Sequence, residues 1–324
     1  LTLKSTDSFL LSHAYYFLTF FLNKNGAEKT MKKTQTGIAA LGILLAFGAQ
    51  AAAPDWSKVA KRDIQVFHAG VTPIEWLMNK QEHSGRTGIS KGESCAGCHE
   101  EKGTLNLDFK RLASKELEPV AAPKTMKFPV AMQAAYDAEN LYIRLSFKSP
   151  SDAGAGADKE DKAPLHEVKA AIMFAGPKVG MGPQVGCWQT CHSDVRSMPG
   201  ADPKKKKYVK DANVAGGNYY DYIQWKSGEA GAGATQVDGH VAAERVNKGG
   251  QALTKAEGEC KAGLCTVTFT RKLSGGEGDL ALAEGQVIPF GIAIHADKTV
   301  HRFHHVSLGY TLGLGAAADI KASK

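Results

Sequence analysis

Ala131-Met-Gln-Ala-Ala-Tyr136, Asp137-Ala-Glu-Asn140 and Leu141-Tyr-Ile-Arg-Leu-Ser-Phe147 run on from one another, and their reading decides the fold class. The first and third alternate apolar and polar side chains, the period of a strand with one face on a core. The Asp-Ala-Glu-Asn link between them has the composition of a tight turn. Together they predict a β-hairpin. Short alternating runs of the same kind recur from about Pro119 onward, at Val168 to Phe174, Cys265 to Phe269, Val287 to Ile294 and His305 to Leu312. Gly, Asn, Asp and Pro separate them, and strands at such spacing predict a β-sandwich over residues 119–324. The Gly-rich stretches at 153–157 and 228–234 read as loops. In Cys260-Lys-Ala-Gly-Leu-Cys265 a turn-forming Ala-Gly separates two thiols at the head of a strand, so a disulfide clamping a hairpin is expected.

Residues 52–118 have a different texture. They are polar and irregular, with few strand signals and a helical patch around Thr72 to Asn79. Within them stands Cys95-Ala-Gly-Cys98-His99, the attachment pattern of a c-type haem. Two thiols three positions apart take up the porphyrin vinyl groups as thioethers, and the following imidazole falls where it binds the iron. The segment therefore reads as a small, irregular to α-helical module wrapped around haem. A second pattern, Cys187-Trp-Gln-Thr-Cys191-His192, carries one extra residue between the cysteines. The competing readings are a structural zinc built from pooled thiolates and imidazoles and plain disulfides, the latter stronger at Cys187 and Cys191. The histidine placed directly after each pair favours two covalent haems c. For the far side of the first iron the candidates are His83, His68 and Met78. His83 is preferred, because Gly85 and Gly88 let the chain fold back over the metal. Trp188 and Trp225 are candidates to pack on porphyrin or to fill core.

The N-terminal region reads as targeting. Met31-Lys-Lys33 is a basic start, Gly37 to Phe47 an apolar stretch and Ala49-Gln-Ala51 a small-residue cleavage site. Residues 1–30 read as upstream sequence outside the translated protein, and 31–51 as a Sec-type signal, which predicts a periplasmic mature chain. The apolar run from Phe9 to Leu22 falls short of the ~20 residues a bilayer-spanning helix needs. No apolar run after Ala51 is long enough to span either, so the mature form is not expected to cross a membrane. The formal charge is +7 for the whole chain and about +4 without residues 1–51. That leaves no footprint for nucleic acid. The lysine run 204–207 reads as a solvated loop or a docking patch for an acidic redox partner. No nucleophile with its base and no carboxylate pair suggests an enzyme site.

Several patterns in the second half bear a family resemblance: Tyr136-Asp137 with Leu141-Tyr-Ile-Arg144, Asp221-Tyr-Ile-Gln-Trp-Lys226, and Ile288-Pro-Phe-Gly-Ile-Ala-Ile-His295 followed by Arg302 and Ser307. From about Pro119 to Gly315 the chain resembles the haem-binding domain shared by cytochrome c-552-type proteins and the haem subunit of ethylbenzene and dimethyl sulfide dehydrogenases. Glu75-Trp76, His83-Ser-Gly85 and Gly92-Glu-Ser-Cys95 resemble the monohaem module fused to that domain in dihaem members. The resemblance implies a β-sandwich with haem between loops at one end, b-type and held by Met and Lys in the dehydrogenase subunits. This chain departs from that pattern by carrying Cys187, Cys191 and His192, and His304-His305 where the family's lysine is expected. His192 paired with His304 or His305 is the preferred ligand set for the second haem, with Met181 as the alternative to the latter two. The expected function is electron transfer between a donor and an acceptor protein in a respiratory chain. The alternatives are a haem subunit of a molybdenum dehydrogenase or reductase, and a haem enzyme with a labile ligand, acting as a peroxidase or small-oxide reductase.

Overall fold

The structure is a computed structural model, and it describes residues 53–70, 72, 74–79, 81–115, 123–150, 167–186, 188, 208–228, 232–247, 253–296 and 304–324. Its strands in chain order are β1 (Lys61–His68), β2 (Glu100–Glu101), β3 (Thr104–Leu105), β4 (Lys127–Tyr136), β5 (Asn140–Lys148), β6 (Lys169–Ala175), β7 (Tyr220–Lys226) and β8 (Thr235–Val241). They continue with β9 (Arg245–Val246), β10 (Thr254–Lys261), β11 (Leu264–Lys272), β12 (Val287–His295), β13 (His305–Ser307), β14 (Tyr310–Leu314) and β15 (Ile320–Ala322). All but β2 and β3 join one sheet in the order β10-β11-β5-β4-β1-β13-β12-β6-β7-β8-β9, with β14 on β12 and β15 on β14. The ladders are antiparallel apart from β14 with β15. The protein is mainly β, and the sheet doubles over into a sandwich-like arrangement.

The expected hairpin forms as read. Asp137 Oδ1 accepts the backbone N–H groups of Glu139 and Asn140 at 2.8 and 2.7 Å, and β4 pairs with β5 from Val130↔Phe147 to Tyr136↔Leu141. Cys260 and Cys265 face each other across β10 and β11 and are joined by a disulfide. Ala262 and Gly263 turn that hairpin at φ of 50° and 78°, as a two-residue turn matched to strand twist requires. On β11 every second residue from Cys265 to Arg271 is buried, so alternation there reports one face on the core. Ile64, Val130, Leu145, Val267, Ile172, Ile223, Phe290 and Ile292 fill that core at 1 % exposure or less.

The N-terminal segment departs from the expectation of few strands. It supplies β1, which lies in the middle of the sheet, paired with β4 along seven residues and with β13 along three. Ile64, Val66 and Phe67 are fully buried there, and one apolar core includes Cys95, Leu105 and Leu112 together with the sandwich residues. Polar neighbours in Lys61-Arg-Asp-Ile-Gln65 mask the strand in the sequence, because those side chains reach out to other elements. Gln65 donates to the Gly103 carbonyl at 2.9 Å and Arg62 to that of Asp319 at 2.9 Å.

Where the doubled sheet meets itself, β10 comes against β7 and β8 without a backbone ladder. The Gln236 amide on β8 takes the ladder's place, donating to the Thr254 carbonyl at 2.8 Å and accepting the Ala256 N–H at 2.6 Å. Gly258 on β10 is needed there, since a Cβ would stand 2.8 Å from the Trp225 indole. Asp221, Asp238 and Asp279 meet behind this seam. Burial, then the charges of Asp221 and Asp238, pushes the Asp279 carboxyl up to about 6.

Candidate haem site

The haem motif forms a helix of its own, α2 (Cys95–His99), among other short helices: α1 (Arg86–Ser90), α3 (Phe109–Ala113) and α4 (Gly182–Val185). Ser94, in an extended conformation, caps α2 by accepting the Gly97 N–H at 2.9 Å. One helical turn separates Cys95 from Cys98, so both thiols flank the same groove. They are thiols, Cys95 buried and Cys98 exposed. Burial, with Cys98 beside it, pushes Cys95 up to about 11. His99 Nδ1–H donates to the Asn106 carbonyl at 2.9 Å. That bond fixes the tautomer and leaves Nε2 as the lone-pair nitrogen, as metal-binding imidazoles require.

Cys95, Cys98 and His99 line a cavity of about 340 Å³ together with His83, with Leu77, Ile89, Leu107, Leu112, Trp188 and Leu308 as its apolar side chains and Glu82, Glu93, Asp108 and Arg111 among its polar ones. The His83 and His99 ring centres are 6.0 Å apart with their planes 29° from parallel. A metal-to-imidazole bond is about 2 Å and a ring centre lies about 1 Å behind its nitrogen, so two imidazoles on one metal stand about 6 Å apart. His83 Nδ1 is buried and has no hydrogen-bond partner among the described residues. Burial, then the neighbouring His99 and Arg111, pushes the His83 imidazole below its ordinary value, which keeps it in the neutral form that binds metals. Two thiols, two opposed imidazoles and an apolar cavity between them fit a covalently held haem.

The loop that carries His83 is held by charge. The Arg111 guanidinium on α3 donates to the Glu82 carbonyl and stands 3.5 Å from the Glu82 carboxylate, while the Lys115 ammonium is 2.8 Å from it. Gly85 is needed for close approach, since a Cβ there would lie 2.7 Å from His83 Cε1. The other end of α2 is tied to the sandwich through Glu100. Its carboxylate accepts from Arg62 on β1 at 3.2 Å and from the Tyr310 hydroxyl on β14 at 2.5 Å. Neither tie was visible in the sequence, because the partners of Glu100 are 38 and 210 residues away.

The other candidates lie elsewhere. His68, at the end of β1, packs 5.6 Å from His305 by ring centres, and the described wall of the cavity includes neither it nor Met78. His305 is fully buried, with Nε2 2.8 Å from the Thr125 carbonyl oxygen and Phe128 edge-on at 4.8 Å. His304 stacks on His295 at 4.3 Å. Cys187, Cys191 and His192 lie outside the described residues, as do His166, His301 and the lysines 204–207. The approach to the second motif is described. Met181, half-buried with φ 60°, opens α4, and Gly186 follows at φ 60°. A Cβ on Gly186 would stand 2.7 Å from the Leu308 carbonyl, so α4 lies backbone to backbone on the bend between β13 and β14. Trp188 is buried, meets Phe67 edge-on at 5.3 Å, donates to the Thr72 carbonyl at 3.3 Å and lines the first cavity. Trp225 fills core behind β10.

The chain is similar to known haem proteins. A family described as "Ethylbenzene dehydrogenase" matches residues 53–262. Cytochrome c-552 of Stutzerimonas stutzeri is 48 % identical over 302 residues, covering 91 % of this chain and all of that protein. Cytochrome c-551 of Rhodocyclus tenuis is 43 % identical over 273 residues, 84 % of this chain and again all of the relative. With that identity and the Cys-Ala-Gly-Cys-His helix opposed to His83, the chain belongs to the ethylbenzene dehydrogenase family as one of its c-type cytochromes.

Proposed function

We propose that the protein is a periplasmic dihaem electron carrier whose first haem sits between His99 and His83, and whose second is attached at Cys187 and Cys191 with His192 as a ligand. The observation that carries the reading is the pair of imidazoles 6.0 Å apart across a cavity walled by Cys95 and Cys98. A haem bound there supplies reversible one-electron oxidation and reduction of its iron. Cys95 and Cys98 hold the group covalently. His99, oriented by Asn106, and His83, on the loop clamped by Arg111 and Lys115 through Glu82, would both bind the iron of a haem held there and would leave no open site for a substrate. Leu77, Ile89, Leu112 and Leu308 keep water from the edge they cover. Two imidazole ligands in place of a His and Met pair favour a lower potential, which the apolar lining offsets in part by disfavouring the more positive ferric iron. The signal-like segment before Ala52 and the Cys260–Cys265 disulfide support an oxidising compartment.

The test is an intact mass and a pyridine haemochrome spectrum of the mature protein made with a cytochrome c maturation system, joined to carbon monoxide binding of the reduced form. Two covalent haems and slow, substoichiometric binding are expected. One haem, or fast stoichiometric binding with peroxidase or nitrite-reducing turnover, overturns the reading. The family match supports a second reading, a haem subunit docked on a molybdenum oxidoreductase. Co-purification of such an enzyme with the tagged protein would favour it over a free carrier.

A further inference from the structure

Away from the haem cavity, three carboxylates converge behind the seam of the sandwich. Asp221 on β7 is fully buried, Asp279 in the loop between β11 and β12 is 7 % exposed, and Asp238 on β8 is half-buried. One oxygen from each lies within 4.8 Å of the others. Each oxygen has an accountable state. Asp221 Oδ2 accepts from Arg271 and from the Leu280 N–H at 2.9 Å. Asp238 Oδ2 accepts the Thr254 N–H at 2.9 Å. Asp221 Oδ1, Asp238 Oδ1 and both oxygens of Asp279 are buried with no partner among the described residues. Asp279 is thus a nine-tenths-buried carboxylate with no hydrogen-bond partner among the described residues, and one of its oxygens lies within 4.8 Å of an oxygen of each of the other two aspartates.

Buried anionic oxygens without partners are costly, and three carboxylates that converge while leaving four oxygens unpartnered call for a positive charge. Arg271 meets part of that demand, and the hydrogen bonds it makes go to Asp221, the Leu280 carbonyl and the Lys272 carbonyl. Three carboxylates and one guanidinium leave a formal charge of −2. A divalent cation brings the group to neutrality. An oxygen-only donor set with one carboxylate free to bind through both atoms suits calcium, whose bonds of 2.3–2.6 Å place opposite ligands about 5 Å apart. His240 faces Asp221 across the β7 and β8 ladder, but its ring packs on Tyr219 and Gly278, outside this oxygen set.

We propose that Asp221, Asp238 and Asp279 form a calcium site that joins β7, β8 and the loop between β11 and β12, where side chains rather than a backbone ladder hold the sandwich shut. The ion does for the seam what the disulfide does for the hairpin beside it. It lies in the sandwich and needs neither haem to be right.

The test is calorimetric titration of calcium chloride into the mature holo-protein after removal of metal with a chelator, alongside thermal melting with and without the ion. One calcium per chain is expected, with a melting temperature raised by about 3–6 °C once calcium exceeds its dissociation constant about a hundredfold. In Asp279→Asn binding weakens about tenfold or more, since half of the free oxygens are altered. The same variant in chelator melts no lower than wild type, because it removes one of three crowded charges, so the order of the two proteins reverses when calcium is added. Asp238→Asn gives the same reading if the first variant does not accumulate. Glu257→Gln, on the exposed part of β10, leaves binding unchanged. No heat and no melting shift up to millimolar calcium, or a shift that Asp279→Asn retains, overturns the proposal. The visible haem spectrum is the same in every arm, so failure here is distinct from failure of the electron-carrier reading.

Discussion

Residues 74–115 and the sandwich they rest on are held together by different means. Among the described residues of the haem-bearing segment no helix exceeds five residues, far below the length at which a helix stands alone in water. What fixes it is a short inventory: the Ser94 cap, the grip of Arg111 and Lys115 on Glu82, the Glu100 tie to Arg62 and Tyr310, and a few apolar side chains. The sandwich has strands of up to ten residues laddered on both sides and a core at near-zero exposure. One region has few contacts of its own to hold it, and the other provides a packed wall for it. Such a division suits the proposed electron transfer, since the sandwich would keep His83, His99 and the thiols in register around a haem held by the segment.

The strongest way to break this comparison is to remove the thioether bonds. Cys95→Ala with Cys98→Ala is expected to lower the intact mass by one haem and to open residues 74–115 to limited proteolysis, with the far-ultraviolet β signal retained. Loss of the sheet signal as well would show that the two regions fold as one unit. Next in size is the wall itself. Phe290, 1 % exposed on the central strand β12, leaves a cavity when cut to Ala and is expected to cost about 3–5 kcal/mol. Chemical denaturation followed at the haem and at the sheet should show both transitions moving together, because unfolding the wall releases the segment. A haem signal that stays put while the sheet midpoint falls would contradict the dependence.

The sequence disclosed the two regions unevenly, for physical reasons. The hairpin of β4 and β5 was legible because one face packs and the Asp137 turn signals itself. Strand β7 showed no alternation because Tyr220 through Trp225 are all buried, with Asp221 and Gln224 among them. Strand β8 spends Gln236 and Asp238 on satisfying β10, so its pattern reads as polar loop. β1 was hidden by side chains that reach other elements. In the site, the cysteine and histidine pattern announced itself, and the glycines around His83 drew attention to it. The Glu100 tie stayed hidden because a hydrogen bond across 210 residues leaves no local pattern. The same holds for the three aspartates at the seam.

That hidden tie is the next test. Tyr310→Phe removes a hydroxyl that donates to the Glu100 carboxylate, and the buried phenol is held well above its ordinary value by desolvation and by that carboxylate. The loss of one hydrogen bond to a charged acceptor is expected to cost about 1–3 kcal/mol, read as a shift in denaturation midpoint. Arg62 remains 3.2 Å from Glu100, which keeps the carboxylate paired and sets the cost toward the lower end. Hydrogen exchange in α2 should quicken more than in β12 if the tie serves the segment. Equal quickening in both would mean that it serves the wall.

The smallest effect sharpens the comparison most finely. A methyl group on Gly85 would lie 2.7 Å from His83 Cε1, and the colliding atom is the far end of a side chain, so the ring turns or shifts by a few tenths of an ångström and the fold stays. Stability should change little, since Gly85 precedes α1 with an ordinary helical φ of −70°. The consequence belongs to the iron. A His83 ring displaced against the fixed His99 changes the angle between the two imidazole planes, now 29°, and with it the low-spin paramagnetic resonance signature of the first haem. Under the proposed ligation, Gly85→Ala is therefore expected to move that signal and the potential of the haem held at Cys95 and Cys98 while leaving the melting temperature in place. An unchanged resonance spectrum in a folded Gly85→Ala protein would mean that His83 does not face that iron, and the distal position would pass to another residue.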